Sequence, residues 1–488
     1  MKRKDFSKLA ISTQHTKGTN FNHENYVAGI APFLRGIHST MYVKKPWTII
    51  QSTRFSTGEE ANAFYRKNLT AGQKHISVAF DLATNLGYNS DYEHIQNYIG
   101  KNGIAIDSVE DMKILFKQLP LEQLVVSISI SKAVLPILAF YIVAAKEQNI
   151  AENLLSGILQ IDELALHNTT MQLPKPPMRI ISDILDYTNK HLPKFNSISI
   201  SNYHLQKAGI PLEIELAYTL ANGLEYLKTA INSGVDVDSF ATKLSFSWNI
   251  DRNHFIEIAK MRAARLLWAK MVKQFNPKNQ ESLALKVHCQ THNWSSTKQH
   301  PFDTITKTTI KTLTAVFGGV QSIDTTNIFN NSNELPKDFS DRIALNTQLY
   351  IQEETNITNT VDPWAGSSFV EKQTQEIANK TWAVLQEIEK FGRINKAIEN
   401  GILNIQVKSD TNLSIQEDNK LIRRNQLNNL TQLKASRNTT EISEALNNLA
   451  ACSKTGNGNL LELAIIAAKK RATLGEISNI LEKTIKRQ

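Results

Sequence analysis

The chain is poor in cysteine: only Cys289 and Cys452 occur in 488 residues. Two cysteines cannot build a disulfide framework. That excludes the small disulfide-stapled secreted class and agrees with a reducing cytoplasm. Long apolar runs are missing too. No stretch approaches the ~20 apolar residues of a membrane helix. The N-terminus, MKRKDFSKLAISTQ, is basic but lacks the continuous apolar core of a secretion signal. No membrane association is expected. Several chemical signatures are also absent: no HExxH, no paired CxxC, no GxSxG elbow and no phosphate loop. No metal site within the chain is expected. Gly318-Gly319 follows a helical pattern and reads as a helix stop. The net charge is +9, but neither a helix–turn–helix nor an aromatic-plus-basic RNA motif accompanies it, so no nucleic acid partner is expected. The one dense basic cluster, Lys469-Lys470-Arg471, reads as a solvated helix face.

What is present is a rhythm. Apolar residues make up 41% of the chain, enough for a large core. Short β-type runs recur at 75–82 (HISVAFDL), 124–131 (LVVSISIS), 157–162 (GILQID), 197–201 (SISIS), 243–249 (KLSFSWN), 283–290 (LALKVHCQ) and 321–325 (QSIDT). A weaker eighth run leads into 361–364 (VDPW). Helical patterns fill most of the gaps, among them 212–232 and 254–274, where apolar residues fall at three- and four-residue spacing. Strand–helix alternation of this kind predicts an α/β fold, a (β/α)8 TIM barrel, which takes roughly 250 residues before insertions. The expected organisation is an N-terminal arm over 1–35, the barrel over 36–401, a linker over 402–425, and a C-terminal helical region over 426–488 with a turn at 455–458 (TGNG).

A barrel of this type carries its active site at the C-terminal ends of the strands. The fourth run ends in Ser201-Asn202-Tyr203-His204, and the sixth carries His288, Cys289 and Gln290. Period-two alternation puts His288 and Gln290 on one face and Cys289 on the other. Gln160 closes the third run with Asp162, and Trp248-Asn249 close the fifth. A histidine at such a mouth can hydrogen-bond or protonate a carbonyl oxygen. It can equally satisfy buried loop groups.

These residues sit inside motifs that resemble one family. STMYVKKPWTI (39–49), FSTGEEANAFYRKNLTAGQK (55–74), SVAFDLAT (77–84), PKFNSISISNYHLQKAG (193–209), HCQT (288–291), VDPWAGS (361–367) and KTGNGNLLELAIIAAKKRATLGEIS (454–478) resemble, in order, the barrel chain of the methylmalonyl-CoA mutase family, the adenosylcobalamin-dependent acyl-CoA mutases. The resemblance implies a CoA chain threaded along the barrel axis, with its acyl end at the strand C-termini. It implies His204 as the catalytic residue, hydrogen-bonding the thioester carbonyl. Thr40, Met41, Thr48, Ser77, Gln160, Tyr203, Lys243, His288 and Gln290 are the implied substrate contacts, and Gln321 the implied cofactor contact. Cobalt in this family is ligated by a DxHxxG histidine on a flavodoxin-like domain. No DxHxxG occurs up to Gln488, so adenosylcobalamin is expected only through a partner subunit, either a mutase partner or a cobalamin-binding one.

The sequence also departs from the family at the acyl end. The arginine and tyrosine after PWTI are replaced by Ile50 and Ser52, and a second carboxylate-binding arginine by His167. The family's His-Arg pair after the first run is Asn85-Leu86, and its HTN reads Asp324-Thr325-Thr326. The expectation is therefore a non-catalytic or impaired mutase subunit, in the cytoplasm. The alternative is an active mutase with altered acyl specificity, using cobalamin held by a separate subunit.

Overall fold

The computed structural model describes residue 21 and residues 23–52, 55–70, 73–162, 178–201, 205–206, 209–291, 301–325, 337–392 and 418–485. Eight parallel strands form a single sheet: β1 Thr48–Ile50, β2 His75–Ala79, β3 Val125–Ser129, β4 Ser156–Asp162, β5 Phe195–Ser201, β6 Leu244–Asn249, β7 Lys286–Gln290 and β8 Ser322–Asp324. Their order is β1-β8-β7-β6-β5-β4-β3-β2. β1 pairs with β8, and the two edge strands β1 and β2 approach each other, so the sheet curls into a nearly closed (β/α)8 barrel. The expected TIM-barrel class is what the chain adopts.

Seven strands lie in or across the seven β-type runs, several of which alternate serine with branched apolar residues. The eighth does not. Residues 361–364 form no strand: Asp362 has φ 44° and Pro363 follows it, and proline cannot donate to a ladder. The missing strand is β1, three residues long, within the polar–aromatic segment that precedes the first apolar run. It is held in register by Thr48 N–H donating to the Gln321 carbonyl at 2.9 Å.

The helices follow the sequence spacing closely. The first nine are α1 Gly58–Thr70, α2 Leu82–Leu86, α3 Val109–Leu115, α4 Val134–Glu147, α5 Met178–His191, α6 Leu212–Asn232, α7 Val237–Ala241, α8 His254–Lys273 and α9 Pro301–Phe317. The next two are α10 Lys337–Glu353 and α11 Ser368–Lys390. The last four, α12 Asp418–Ser436, α13 Thr439–Thr455, α14 Leu460–Lys469 and α15 Leu474–Thr484, make up the C-terminal region. The stretch expected as a linker is thus helical from Asp418. Gly319, with φ 74°, ends α9, and Gly456, with φ 79°, ends α13, both left-handed stops as the sequence suggested.

Helix α4 is buried on every side from Val134 to Ala145. A helix apolar all round must be covered on both faces, and α14 packs across it from the C-terminal region. The basic cluster there is not a free face. Lys470 pairs with Glu441, while Arg471 reaches Glu147 at 2.7 Å and Glu110 at 2.7 Å. It ties α14 to α3 and α4.

The same region grips the loop after β2. Asn89 accepts from Gly475 N–H at 2.7 Å and donates to Thr473 Oγ1 at 3.1 Å. A Cβ on Gly475 would fall 2.9 Å from that amide, so the approach requires glycine. Leu474 N–H donates to the Asp107 carbonyl at 2.8 Å. The Asp107 carboxyl is buried, accepts from Ser90 N–H at 2.7 Å, and stands close to buried Asp111. Burial first, and Asp111 second, push it well above the usual carboxylate range. A raised native pKa means that its contribution to stability is lost as pH rises. Asp107→Asn should therefore stabilise the protein at pH 7 by about 1–2 kcal/mol. The gain should vanish in acid, where Asp107 is protonated anyway. Urea unfolding at pH 4 and pH 7 checks both parts.

Candidate functional site

The barrel interior departs from the usual apolar filling. In most (β/α)8 barrels branched residues fill the centre. Here many inward positions are serine: Ser77 on β2, Ser127 and Ser129 on β3, Ser199 and Ser201 on β5, Ser245 and Ser247 on β6, and Ser322 on β8. The strands show which face is which. On β7, Val287 and Cys289 are fully covered, whereas Lys286, His288 and Gln290 are partly open. Cys289 lies toward Lys260 and Arg265 of α8, and burial pushes its thiol up. Outward Phe246 on β6 meets Trp268 of α8 at 4.9 Å between ring centroids. The covered apolar set thus faces the helices, and the inward set is polar: Ser77, Ser129, Ser245, His288 and Gln290 are partly exposed, whereas His75, Ser127, Ser199, Ser201 and Ser247 are buried.

Two imidazoles stand in that axis. His288 Nδ1 is 2.9 Å from Ser322 Oγ on the neighbouring strand. His75 Nε2 is 2.8 Å from Ser127 Oγ. Burial lowers His288 to about 4. Burial, and then the nearness of His288, lower His75 to about 3. Both rings are neutral at pH 7, and a neutral imidazole can either donate or accept. At the N-terminal ends of the strands stand two lysines. Lys243 donates to Asn189 Oδ1 at 3.0 Å, and Lys286, which opens β7, donates to the Thr242 carbonyl. Burial lowers both below the usual lysine range.

At the opposite end, Ile50, Asp324, Gln290 and Asn249 sit side by side across β1, β8, β7 and β6. Asp324 Oδ1 accepts from Ser52 N–H at 3.2 Å, and Ser52 Oγ is 3.0 Å from Ser77 Oγ. That contact spans β1 and β2, between which no ladder forms among the described residues. Tyr65 OH donates to the Ser77 carbonyl there at 2.8 Å.

The structure brings Ser77, Gln160, His288 and Gln290 to the axis, with Thr48 opening β1 and Lys243 at the rim. Thr40 and Met41 lie apart, at a single 3₁₀ turn beneath the barrel, and Met41 is buried beside Gly36 and Gly319. Gln321 is not at the C-terminal ends of the strands. It precedes β8 at the N-terminal end, where its Oε1 accepts from Val287 N–H at 2.7 Å and its Nε2 donates to the Gly319 carbonyl at 3.1 Å. Tyr203, His204 and His167 lie outside the described residues. Sequence reasoning missed His75, Lys286 and the serine lining. The signal for the lining was the serine at every second position in LVVSISIS, SISIS and KLSFSWN.

A family model described as methylmalonyl-CoA mutase matches residues 5–416 and 404–487. The chain belongs to the methylmalonyl-CoA mutase family. It is 47% identical to the methylmalonyl-CoA mutase large subunit of Porphyromonas gingivalis, over 95% of this chain and 69% of that one. The large subunit from Streptomyces virginiae is also 47% identical, over 93% of this chain and 67% of the relative. The mitochondrial human mutase is 43% identical, over 97% and 67%.

Members of this mutase family use adenosylcobalamin. No group of three or more His, Cys, Asp or Glu among the described residues could hold a metal ion. The two axial imidazoles are each tied to a serine. Asn85, at one of the positions where the family has its His-Arg pair, turns its amide inward. It donates to the Phe80 and Asp81 carbonyls and accepts from Ser131 N–H. No helix among the described residues is long and apolar enough to cross a membrane.

Proposed function

We propose that this chain is the barrel subunit of an adenosylcobalamin-dependent acyl-CoA isomerase and that it is impaired or inactive toward methylmalonyl-CoA. The serine-rich, polar inward face of the barrel is the observation that carries the first part. A narrow polar channel with hydroxyl and neutral imidazole walls suits an uncharged amide-bearing chain, which is what the pantetheine arm of CoA is. Lys243 and Lys286 supply positive charge at the N-terminal rim, where the phosphates of CoA would emerge. In this reading His204 meets the thioester carbonyl. The corrin is held by a partner, either a cobalamin-binding subunit or an active mutase chain in a heterodimer, in the cytoplasm.

The second part rests on the acyl end. The inward residues that close β1, β6, β7 and β8 are Ile50, Asn249, Gln290 and Asp324, and none is cationic. The free carboxylate of a methylmalonyl group needs a partner, because burying a charge without one is costly. Each 1.4 kcal/mol lost is about tenfold in affinity. The second reading, activity on a less charged acyl-CoA, is favoured by the same apolar Ile50. The test mixes the chain with adenosylcobalamin, candidate cobalamin-binding subunits, and either methylmalonyl-CoA or uncharged branched acyl-CoAs. Methylmalonyl-CoA should not be turned over, and any turnover should be confined to the uncharged thioesters. Efficient formation of succinyl-CoA would contradict this account of the pocket.

A further inference from the structure

His75 falls in the two-residue gap between the family-like stretches 55–74 and 77–84. It opens β2 and points inward, toward Ser127 on β3. Its surroundings repeat those of His288. In each case a serine on the adjacent strand holds one ring nitrogen, and the other nitrogen makes no hydrogen bond among the described residues. The rest of the wall nearby is small: Ser77 and Ala79 on the same strand, and Ser127 and Ser129 beside them. Serine hydroxyls are short and reach little beyond the wall. An imidazole reaches further into the axis.

The serine partner also leaves the ring adaptable. Ser127 Oγ can donate to Nε2 or accept from it, so Nδ1 can be either an acceptor or a donor. Amides offer both a donor and an acceptor, and the pantetheine arm carries two of them in series. The neutrality of the ring suits such a group, since a fixed charge beside a neutral amide would cost desolvation without an ionic partner.

We infer that His75 is a further substrate-binding residue, one whose free ring nitrogen hydrogen-bonds an amide of the pantetheine arm and so sets the position of the acyl-CoA along the axis. The inference rests on the reading of the axis as the CoA channel.

The experiment is calorimetric titration of the full chain with two ligands: desulfo-CoA, which has the arm, and adenosine 3′,5′-bisphosphate, which lacks it. His75→Ala should weaken desulfo-CoA about tenfold, the loss of one buried hydrogen bond. It should leave the bisphosphate unchanged. His75→Gln, which keeps an amide donor and acceptor near the same place, should recover part of the loss, and it serves as the folded reference if the alanine variant melts early. Equal weakening of both ligands would mean a structural role and overturn the inference. So would unchanged or tighter binding of desulfo-CoA, because the ring would then merely fill the channel. If the wild-type chain binds the bisphosphate but not desulfo-CoA, the channel reading itself fails, and the role of His75 fails with it.

Discussion

Replacing Arg262 with methionine is expected to destabilise the protein by about 3–5 kcal/mol, the usual cost of breaking a buried ion pair from one side. Arg262, on α8, is 1% exposed. Its guanidinium pairs with Asp362 and, at 2.6 Å, with Glu371 Oε1. Glu371, on α11, also lies 2.8 Å from His23 Nε2 and accepts from Gly366 N–H at 2.9 Å. Burial alone would raise the Glu371 carboxyl, but His23, Arg262 and the Gly366 N–H hold it down at about 2. One guanidinium thus joins the turn at 361–367 to α8 and α11, and His23 brings the N-terminal segment to the same carboxylate. Methionine would leave Glu371 with His23 alone and Asp362 with only the more distant Arg35, at 3.9 Å. Urea unfolding followed by tryptophan fluorescence measures the loss. A change below about 1 kcal/mol would place the pair among weak surface bridges and contradict this account.

The second large effect concerns the channel. Ser245 opens the inward face of β6, beside Ser199 and Lys286, and is partly open to the axis. With the axis read as the CoA channel, Ser245→Phe puts a large ring into the path of the CoA chain. Stability should change by less than about 1 kcal/mol, because a ring entering a ligand channel displaces no packed neighbour, unlike an insertion into a filled core. CoA affinity should fall by about two orders of magnitude or more, since loss of even about 3 kcal/mol of contact has that effect. The paired readouts are a urea unfolding curve and a binding isotherm on the same preparation. Loss of stability with CoA binding intact would mean that the axis is a packed core after all.

Much of this architecture was legible in the sequence because serine alternates with branched residues in several strands. That pattern is unusual for a parallel strand, which is normally apolar on both faces, and it marks a wall wet on one side. Parity alone placed His288 and Gln290 together and Cys289 behind them. Strand β1 was not legible, because three residues give too little alternation and Trp47 and the lysines beside it mask the signal. The 361–364 segment misled for the opposite reason. Val361 and Trp364 favour strands, but Asp362 is turned to meet Arg262. The Arg262 network had no sequence signal, since its members are brought together only by tertiary packing. Nor does sequence reveal that Gln321 spends its amide on backbone groups at the N-terminal end of the barrel. His75 was hidden because a lone histidine at a strand start is more often a satisfied structural group than a ligand contact.

The central claim is that the serine-lined axis is a CoA channel. The most direct measurement is a crystal structure of the chain soaked with desulfo-CoA. Density is expected along the axis, with the nucleotide beside Lys243 and Lys286, the arm passing His75 and His288, and the truncated end near Gln290 and Asp324. Density on the outer helices with an empty axis would contradict it.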